Sequence, residues 1–345
     1  MTKIIYISGS PIGKIYGNKL GVEWFENNNY DVEYWNLTDL YYSNLKVKSY
    51  LSESDVYRYI FNKEIIISSK REFYMKVGTI SNAIFCFIDF SHLDYFWILR
   101  CFKVNGINYF THPMSTPFKL VDQSYFGYFK RIKSVLIDKR ITPSIVKIIK
   151  QSIRKYKNWI YSKTNYYKKP TFSMASGVIG VNYYSRIMRP DLLINVPSSD
   201  ITWDYLPSLL DVKYCVYVDE AMVYSPDSHL FGNRKSILKN QNMFFENLNN
   251  AFDLIEDTLK MKIVVAASSK YIYKDKNIFH NREIIYNNTN RLIQNSNFVL
   301  GHKSQALFQA AVNNKPLLLL TDKSMISQKN NHIIGMSNIF GVRFA

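Results

Sequence analysis

Residues 297–321 read NFVLGHKSQALFQAAVNNKPLLLLT: a short apolar block, a Gly-His-Lys-Ser turn, an amphipathic stretch and a second apolar block. Blocks such as FVL and PLLLL, apolar at consecutive positions, are what a strand buried on both faces of a parallel sheet requires. Between them Ala306, Leu307, Ala310 and Ala311 recur at helical spacing and supply one inward face. The predicted unit is therefore strand, turn, helix, strand. If the helix begins directly after the turn, its free N–H groups and positive dipole end lie beside Gly301, His302, Lys303 and Ser304, which makes that turn a candidate phosphate seat.

The same alternation runs back through the second half of the chain. Tyr214 to Val218 is a predicted strand that ends in Asp219 and Glu220. Asn242 to Lys260 is a predicted helix, with Phe244, Leu248, Ala251, Phe252, Ile255 and Leu259 facing inward. Lys262 to Ala267 and Glu283 to Tyr286 are further strands, and Thr289 opens a short helix that runs to Asn295.

The first half begins in the same way. A strand over Lys3 to Ile7 is followed by SGSPIGKIYG, a helix around Lys19 to Asn27 and a strand over Asp31 to Trp35. Later, Ala83 to Ile88 is a strand ending at Asp89, Tyr95 to Val104 a helix and Ile107 to Phe110 a strand, while Gly177 to Val181 reads as another strand. Strand, loop, helix, strand at these intervals is the opening of a Rossmann-like sheet. The fold class expected is α/β, with two Rossmann-like domains facing a central cleft. A length of 345 residues accommodates two domains of ordinary size.

Composition excludes several classes. With 47% hydrophobic residues the chain is not of the disordered type. No apolar run reaches the roughly 18 residues that a membrane-spanning helix needs, so a cytoplasmic protein is expected. Cys86, Cys101 and Cys215 are widely separated and form neither a disulfide framework nor a zinc motif.

The net charge of +17 is concentrated. Residues 130–169 hold thirteen Lys or Arg against Asp138 alone, which accounts for twelve of the seventeen charges. Thr142-Pro143 is a helix start, and Ile145, Ile149, Ile153, Tyr156 and Ile160 form one stripe opposite Lys147, Lys150, Arg154, Lys155 and Lys157. A basic amphipathic helix of this kind suits the surface of an anionic membrane, here the inner face of the cytoplasmic membrane. It equally suits a surface helix that packs its stripe on the domain and solvates its lysines. A nucleic-acid reading of the charge ranks last, because no recognition motif accompanies it.

Ligands of open parallel sheets bind beyond the carboxyl ends of the strands. In the second half, the residues assigned there are Asp219 and Glu220, then Ser268, Ser269 and Lys270, then Glu283, then Gly301, His302, Lys303 and Ser304. Hydroxyls, a lysine and backbone N–H groups suit a phosphate, and a carboxylate suits ribose hydroxyls, so the set describes a nucleotide site. In the first half, Asp89 or His92 after a strand is a candidate general base toward a hydroxyl; the competing reading, in which Asp89, Ser91 or Asp94 caps the next helix, is the preferred one. The loop Ser8 to Gly13 has neither a dinucleotide fingerprint nor a P-loop. The six histidines have no paired-ligand spacing and there is no GxSxG elbow, so neither metal chemistry nor a serine hydrolase is expected, and no cofactor beyond a nucleotide-linked substrate.

Three stretches, YVDEAMVYSPDS, KIVVAASSKYIYKDKNIFHNREIIYNNT and NFVLGHKSQALFQAAVNNKPLLLL, together with NVPSSDITWDYL, resemble the C-terminal half of GT-B glycosyltransferases from bacterial O-antigen and capsule clusters. The likeness extends distantly to sialyl-, polysialyl- and Kdo-transferases, which use CMP-linked donors. It covers about a third of the chain. It implies an N-terminal acceptor-side domain over 1–195, with the basic insertion, and a nucleotide-sugar-binding domain over 196–345. It further implies that Ser268, Ser269 and Lys270 stand where relatives carry His-Pro-Arg, that Glu283 meets the ribose, that His302 and Ser304 meet the phosphate, and that Asp219 and Glu220 fall in a motif the relatives share, which places them with Asp89 and His92 as the catalytic candidates. The partners implied are a nucleotide-sugar donor and a glycan or lipid-linked acceptor. A sugar-nucleotide epimerase on the same two-Rossmann fold is the alternative.

Overall fold

The computed structural model describes residues 2–42, 59–88, 95–112, 164–197, 201–224, 238–325 and 327–342. Asp89, His92 and nearly all of the basic segment 130–169 lie outside the described residues. The chain divides into two compact units, one built on described residues up to 197 apart from Tyr42, the other on those from 201 onward.

The first unit carries seven parallel strands: β1 (Lys3–Ser8), β2 (Asp31–Asn36), β3 (Glu64–Ile66), β4 (Ala83–Ile88), β5 (Tyr109–His112), β6 (Phe172–Ala175) and β7 (Leu192–Asn195). Their order is β3-β2-β1-β4-β5-β6-β7, so the sheet starts at β1 and winds outward in both directions. The unbroken apolar run of β1 has a direct cause. Side chains alternate across a strand: Ile5 and Ile7 enter a core with Trp35, Phe73, Phe85, Leu99 and Phe102, while Ile4 and Tyr6 enter the opposite one with Val32, Tyr34, Phe61 and Cys86.

Several elements of this unit, β6 and β7 among them, are not expected from the sequence, and two show why. β3 is three residues long and half exposed, which leaves no alternation to detect. The helix Lys70–Thr79 that follows is capped by Ser69, whose Oγ accepts from the Glu72 N–H at 3.2 Å, while the Glu72 carboxylate accepts from the Ser68 N–H at 3.1 Å. Ser-x-x-Glu before Phe73 is a capping-box signature. One expected element is corrected: residues 177–181 are not a strand but the first part of the helix Gly177–Ile187. GVIGV is too short to separate strand from helix by periodicity. The turn made by Ser176 in the extended region and Gly177 at φ +64° sets the chain into a helix instead.

The second unit has five parallel strands: β8 (Tyr214–Val218), β9 (Lys262–Ala267), β10 (Ile284–Tyr286), β11 (Phe298–Gly301) and β12 (Leu317–Leu319). Their order is β10-β9-β8-β11-β12, the doubly wound pattern on a smaller scale. The helix Gln241–Leu259 starts at Asn240, whose side chain accepts from the Met243 N–H at 3.1 Å, and buries Phe244, Phe245, Leu248 and Phe252. Leu259, expected inward, is 38% exposed in the last turn. Shorter helices cover Thr289–Asn295 and Leu307–Val312, and Ser327–Phe340 follows β12.

The segment entering this unit is held by two buried glutamines. Gln309 accepts from the Thr202 N–H at 2.8 Å and donates to the Thr202 carbonyl at 2.9 Å. Gln294 accepts from the Leu206 N–H at 3.1 Å and donates to the Asp204 carbonyl at 2.9 Å. A side-chain amide carries both a donor and an acceptor, so each glutamine replaces a strand neighbour for an otherwise unpaired backbone.

Candidate functional site

In the second sheet the strand order reverses between β8 and β11, which places the open edge of an α/β sheet at their carboxyl ends. Val218 pairs with Gly301, so the residues that follow, Asp219-Glu220 and His302-Lys303-Ser304, emerge side by side. Ser268 emerges from β9 on the other flank of β8, since Val218 also pairs with Ala266.

Asp219 ties these strand ends together. Its Oδ1 accepts from the Ala221 N–H at 3.0 Å, and its Oδ2 accepts from the Ser268 N–H at 3.3 Å and the Tyr273 hydroxyl at 3.0 Å. Burial pushes its carboxyl up to about 6, opposed by the three donors. All three hydrogen bonds come from the chain itself, so Asp219 shapes the edge. Glu220, half-buried, accepts from the Lys303 N–H and joins β8 to the turn after β11. Ala221 completes the turn at φ +47°, a left-handed conformation held by the bond to Asp219.

Ser268 and Ser269 are half-buried and Lys270 is exposed. Ser268 Oγ accepts from the Lys270 N–H at 3.3 Å, closing a short turn. Beside it stands an aromatic group that the sequence reading passed over. Tyr271 stacks on Tyr224 with ring centroids 4.2 Å apart, and Tyr273 meets Tyr271 edge-on at 5.3 Å. Tyr-Ile-Tyr directly after SSK was the available signal, two aromatics on one side of an extended segment.

His302 is turned inward. Its ring lies between Tyr217, at 5.7 Å, and Phe244, at 5.6 Å, and Nδ1 is 2.7 Å from the Leu320 carbonyl. A carbonyl only accepts, so Nδ1 carries the proton. The helix begins at Leu307, later than the sequence suggests. Before it, Glu220 takes the Lys303 N–H, Ser304 Oγ takes the Ala306 N–H at 3.3 Å and the Ser304 carbonyl takes the Leu307 N–H at 3.2 Å. The turn thus spends these donors on its own chain. Gly301 is buried, and a Cβ there would stand 2.8 Å from Leu307 Cδ2, so glycine admits the Leu307 side chain against the strand end.

Glu283 is not brought to this edge. It is exposed and precedes β10, in which Ile284 pairs with Val265 and Tyr286 with Ala267. Three residues separate it from Tyr286, about 10 Å along a strand. The carboxyl end of β10 instead leads into Asn287, at φ +61°, and Asn288.

On the first sheet, β1, β4 and β5 end level with one another: Ile7 pairs with Phe87, and Ile88 with His112. Ser8 Oγ donates to the Ser10 carbonyl at 2.7 Å and orders the loop that leads to the helix Lys14–Gly17. From that helix the Tyr16 hydroxyl lies 2.7 Å from His112 Nδ1. In the sequence His112 is one of six scattered histidines, with nothing local to mark it. Among the described residues, no group of three or more His, Cys, Asp or Glu is placed to hold a metal ion, and no helix is long and apolar enough to cross a membrane.

No family model matches the chain, and no curated protein matches it. Solved structures do. The calicheamicin glycosyltransferase CalG4 aligns over 100% of this chain and 85% of its own, with a TM-score of 0.52 and 9% identity. The spinosyn forosaminyltransferase SpnP aligns over 98% of this chain and 90% of its own, with a TM-score of 0.46 and 10% identity. The S. aureus MnaA–UDP co-structure aligns over 98% and 88%, with a TM-score of 0.44 and 13% identity. The likeness to CalG4 establishes the fold: an α/β chain of two Rossmann-like units, of the GT-B class.

Proposed function

We propose that this chain is a glycosyltransferase that moves a sugar from a nucleotide donor to a hydroxyl of a glycan or lipid-linked acceptor. The observation that carries the reading is the full-length fold likeness to CalG4, a glycosyltransferase, combined with the polar edge at the β8/β11 reversal. That edge offers what a nucleotide requires: hydroxyls at Ser268 and Ser269, the ammonium groups of Lys270 and Lys303 for phosphate, the Glu220 carboxylate for ribose and the Tyr224–Tyr271 stack as an aromatic face. Charged donors aimed at a leaving phosphate are the main source of rate in such chemistry.

The resemblance of the C-terminal half to transferases with CMP-linked donors supports CMP as the nucleotide and bacterial surface polysaccharide as the setting. The basic stripe of residues 142–160 supports peripheral attachment to the inner face of the cytoplasmic membrane. No metal and no cofactor besides the donor enter this proposal.

Isothermal calorimetry with CMP and with UDP tests it. Saturable binding of either, weakened when Lys270 and Ser268 are replaced by alanine, is the expected result; absence of binding of both at millimolar concentration removes the donor site.

A further inference from the structure

Two helices of the first unit, Lys70–Thr79 and Phe96–Val104, pack on the same core, to which the first gives Phe73 and Val77 and the second Ile98, Leu99 and Phe102. On the outside of this layer cations and rings alternate. Lys70 Nζ lies over the Trp97 ring, 5.1 Å from its centroid, the Tyr74 ring meets Trp97 edge-on at 5.7 Å, and the Arg100 guanidinium lies 4.3 Å over the Tyr166 ring. Residues 164–169, the described end of the basic segment, run along the second helix: Lys103 Nζ donates to the Asn165 carbonyl, and the Lys168 N–H donates to the Leu99 carbonyl at 3.2 Å. The two helices and this segment hold seven Lys or Arg against Glu72 alone, whose carboxylate accepts from the Ser68 N–H. Apolar side chains stand exposed on the same two helices, Met75 at 57% and Val104 at 76%.

We propose that this face of the first unit docks on an anionic lipid bilayer. It deepens the peripheral attachment proposed above and rests on it, but the surface is a different one from the stripe of residues 142–160. Charge selects the class of partner. Seven cations against one acid suit a surface of phosphates, and each Lys or Arg held at an anionic leaflet strengthens attachment about fivefold. A guanidinium is a planar fork of donors that matches phosphate oxygens, and the Tyr166 ring beneath Arg100 fixes the plane of that fork. The apolar side chains then select among polyanions. A nucleic acid or an acidic glycan gains little from a thioether and an isopropyl group, whereas a bilayer takes Met75 and Val104 into the boundary below its headgroups. Trp97 and Tyr74, rings with one polar end, suit the headgroup level itself.

Sedimentation of the full chain with vesicles of phosphatidylcholine and phosphatidylglycerol, and with vesicles of phosphatidylcholine alone, tests this. Binding to the first that falls with added salt, and none to the second, is expected. The triple variant Lys70→Gln, Arg100→Gln, Lys103→Gln should bind about 100-fold more weakly, at about fivefold per charge, and Lys70→Arg with Lys103→Arg should bind as the wild type does. Met75→Ser with Val104→Ser should weaken binding about tenfold or more through lost apolar burial. All five side chains are exposed, and an unchanged urea midpoint verifies that each variant folds. A triple variant that binds like the wild type overturns the proposal and leaves attachment to the stripe, in which case neutralising Lys147, Lys150, Arg154, Lys155 and Lys157 abolishes binding. Weakened binding in the triple variant beside none lost in Met75→Ser with Val104→Ser assigns the face to a soluble polyanion and overturns the proposal as well. A wild type that binds neither vesicle removes the attachment reading itself, a separate outcome.

Discussion

The phenol of Tyr273 donates to Asp219 Oδ2 at 3.0 Å, and the same oxygen receives the Ser268 N–H at 3.3 Å. One carboxylate thus holds the ends of β8 and β9 and the aromatic segment beyond them in a fixed relation. Tyr273 is itself 5% exposed, and burial together with the nearby Asp219 charge pushes its phenol far above the usual range, so it remains a donor throughout the accessible pH. Tyr273→Phe keeps the ring and its contact with Phe279 but leaves the carboxylate short of one donor. A loss of about 1–3 kcal/mol in urea unfolding is expected, and an unchanged midpoint would show that the bond contributes nothing.

The ionisation of Asp219 gives the stability a pH dependence of defined sign. Its folded-state value of about 6 lies above the ordinary 3.8, so ionisation disfavours the fold. The contribution of this group is complete below about pH 4 and is lost as the pH rises through about 6. Such a displacement corresponds to about 3 kcal/mol. Measured as the difference in unfolding free energy between wild type and Asp219→Asn, the advantage of the wild type should shrink by that amount between pH 4 and 7. A difference that stays flat across the window contradicts the assignment.

Much of the fold was readable because two-sided burial writes itself into consecutive residues. β1, β8 and β9 are apolar at almost every position since both faces are covered, and the bounds of β8 and β9, and those of β1 to within one residue, follow from the chain alone. The strand order was not readable in that way, since it depends on which blocks pair. The site was legible only in part for the same reason. Ile284 and Ile285 mark a strand, but only the pairing of Tyr286 with Ala267 tells which end reaches the edge, and it places Glu283 at the wrong one. His302 follows β11 as expected, yet its orientation is decided by Tyr217, Phe244 and Leu320, which come from β8, from the helix Gln241–Leu259 and from the residue just after β12. Tyr16 and His112 meet across 96 positions, and nothing local announces them.

Gln309 and Gln294 make a prediction about the segment that enters the second unit. Gln309 satisfies both the N–H and the carbonyl of Thr202, and Gln294 also reaches the Thr202 carbonyl, at 3.3 Å. Gln309→Ala should cost about 1–3 kcal/mol by leaving the Thr202 N–H without its acceptor. Because the two glutamines share a partner, the double variant should lose a different amount from the sum of the single ones. Faster limited proteolysis between Thr202 and Ser208 is the local signature, and unchanged cleavage there would show that the segment is held by other contacts.

The two glutamates assigned to the donor site separate cleanly. Glu220 emerges at the β8/β11 reversal and takes the Lys303 N–H, so it positions the turn after β11 and presents a carboxylate at the edge. Glu283 is exposed and lies short of that edge by three residues of β10. Under the transferase reading, Glu220→Ala should weaken CMP or UDP binding about 10- to 150-fold, the loss of a hydrogen bond involving a charged group being about 1.5–3 kcal/mol. Glu283→Gln should leave the affinity as it is, because no part of a nucleotide seated on the Ser268 and Lys303 turns needs to extend about 10 Å back along the strand. Calorimetry on the two variants decides the matter. A weakened Glu283→Gln beside an unaffected Glu220→Ala would move the ribose contact off the carboxyl edge and refute the placement of the donor at the β8/β11 reversal.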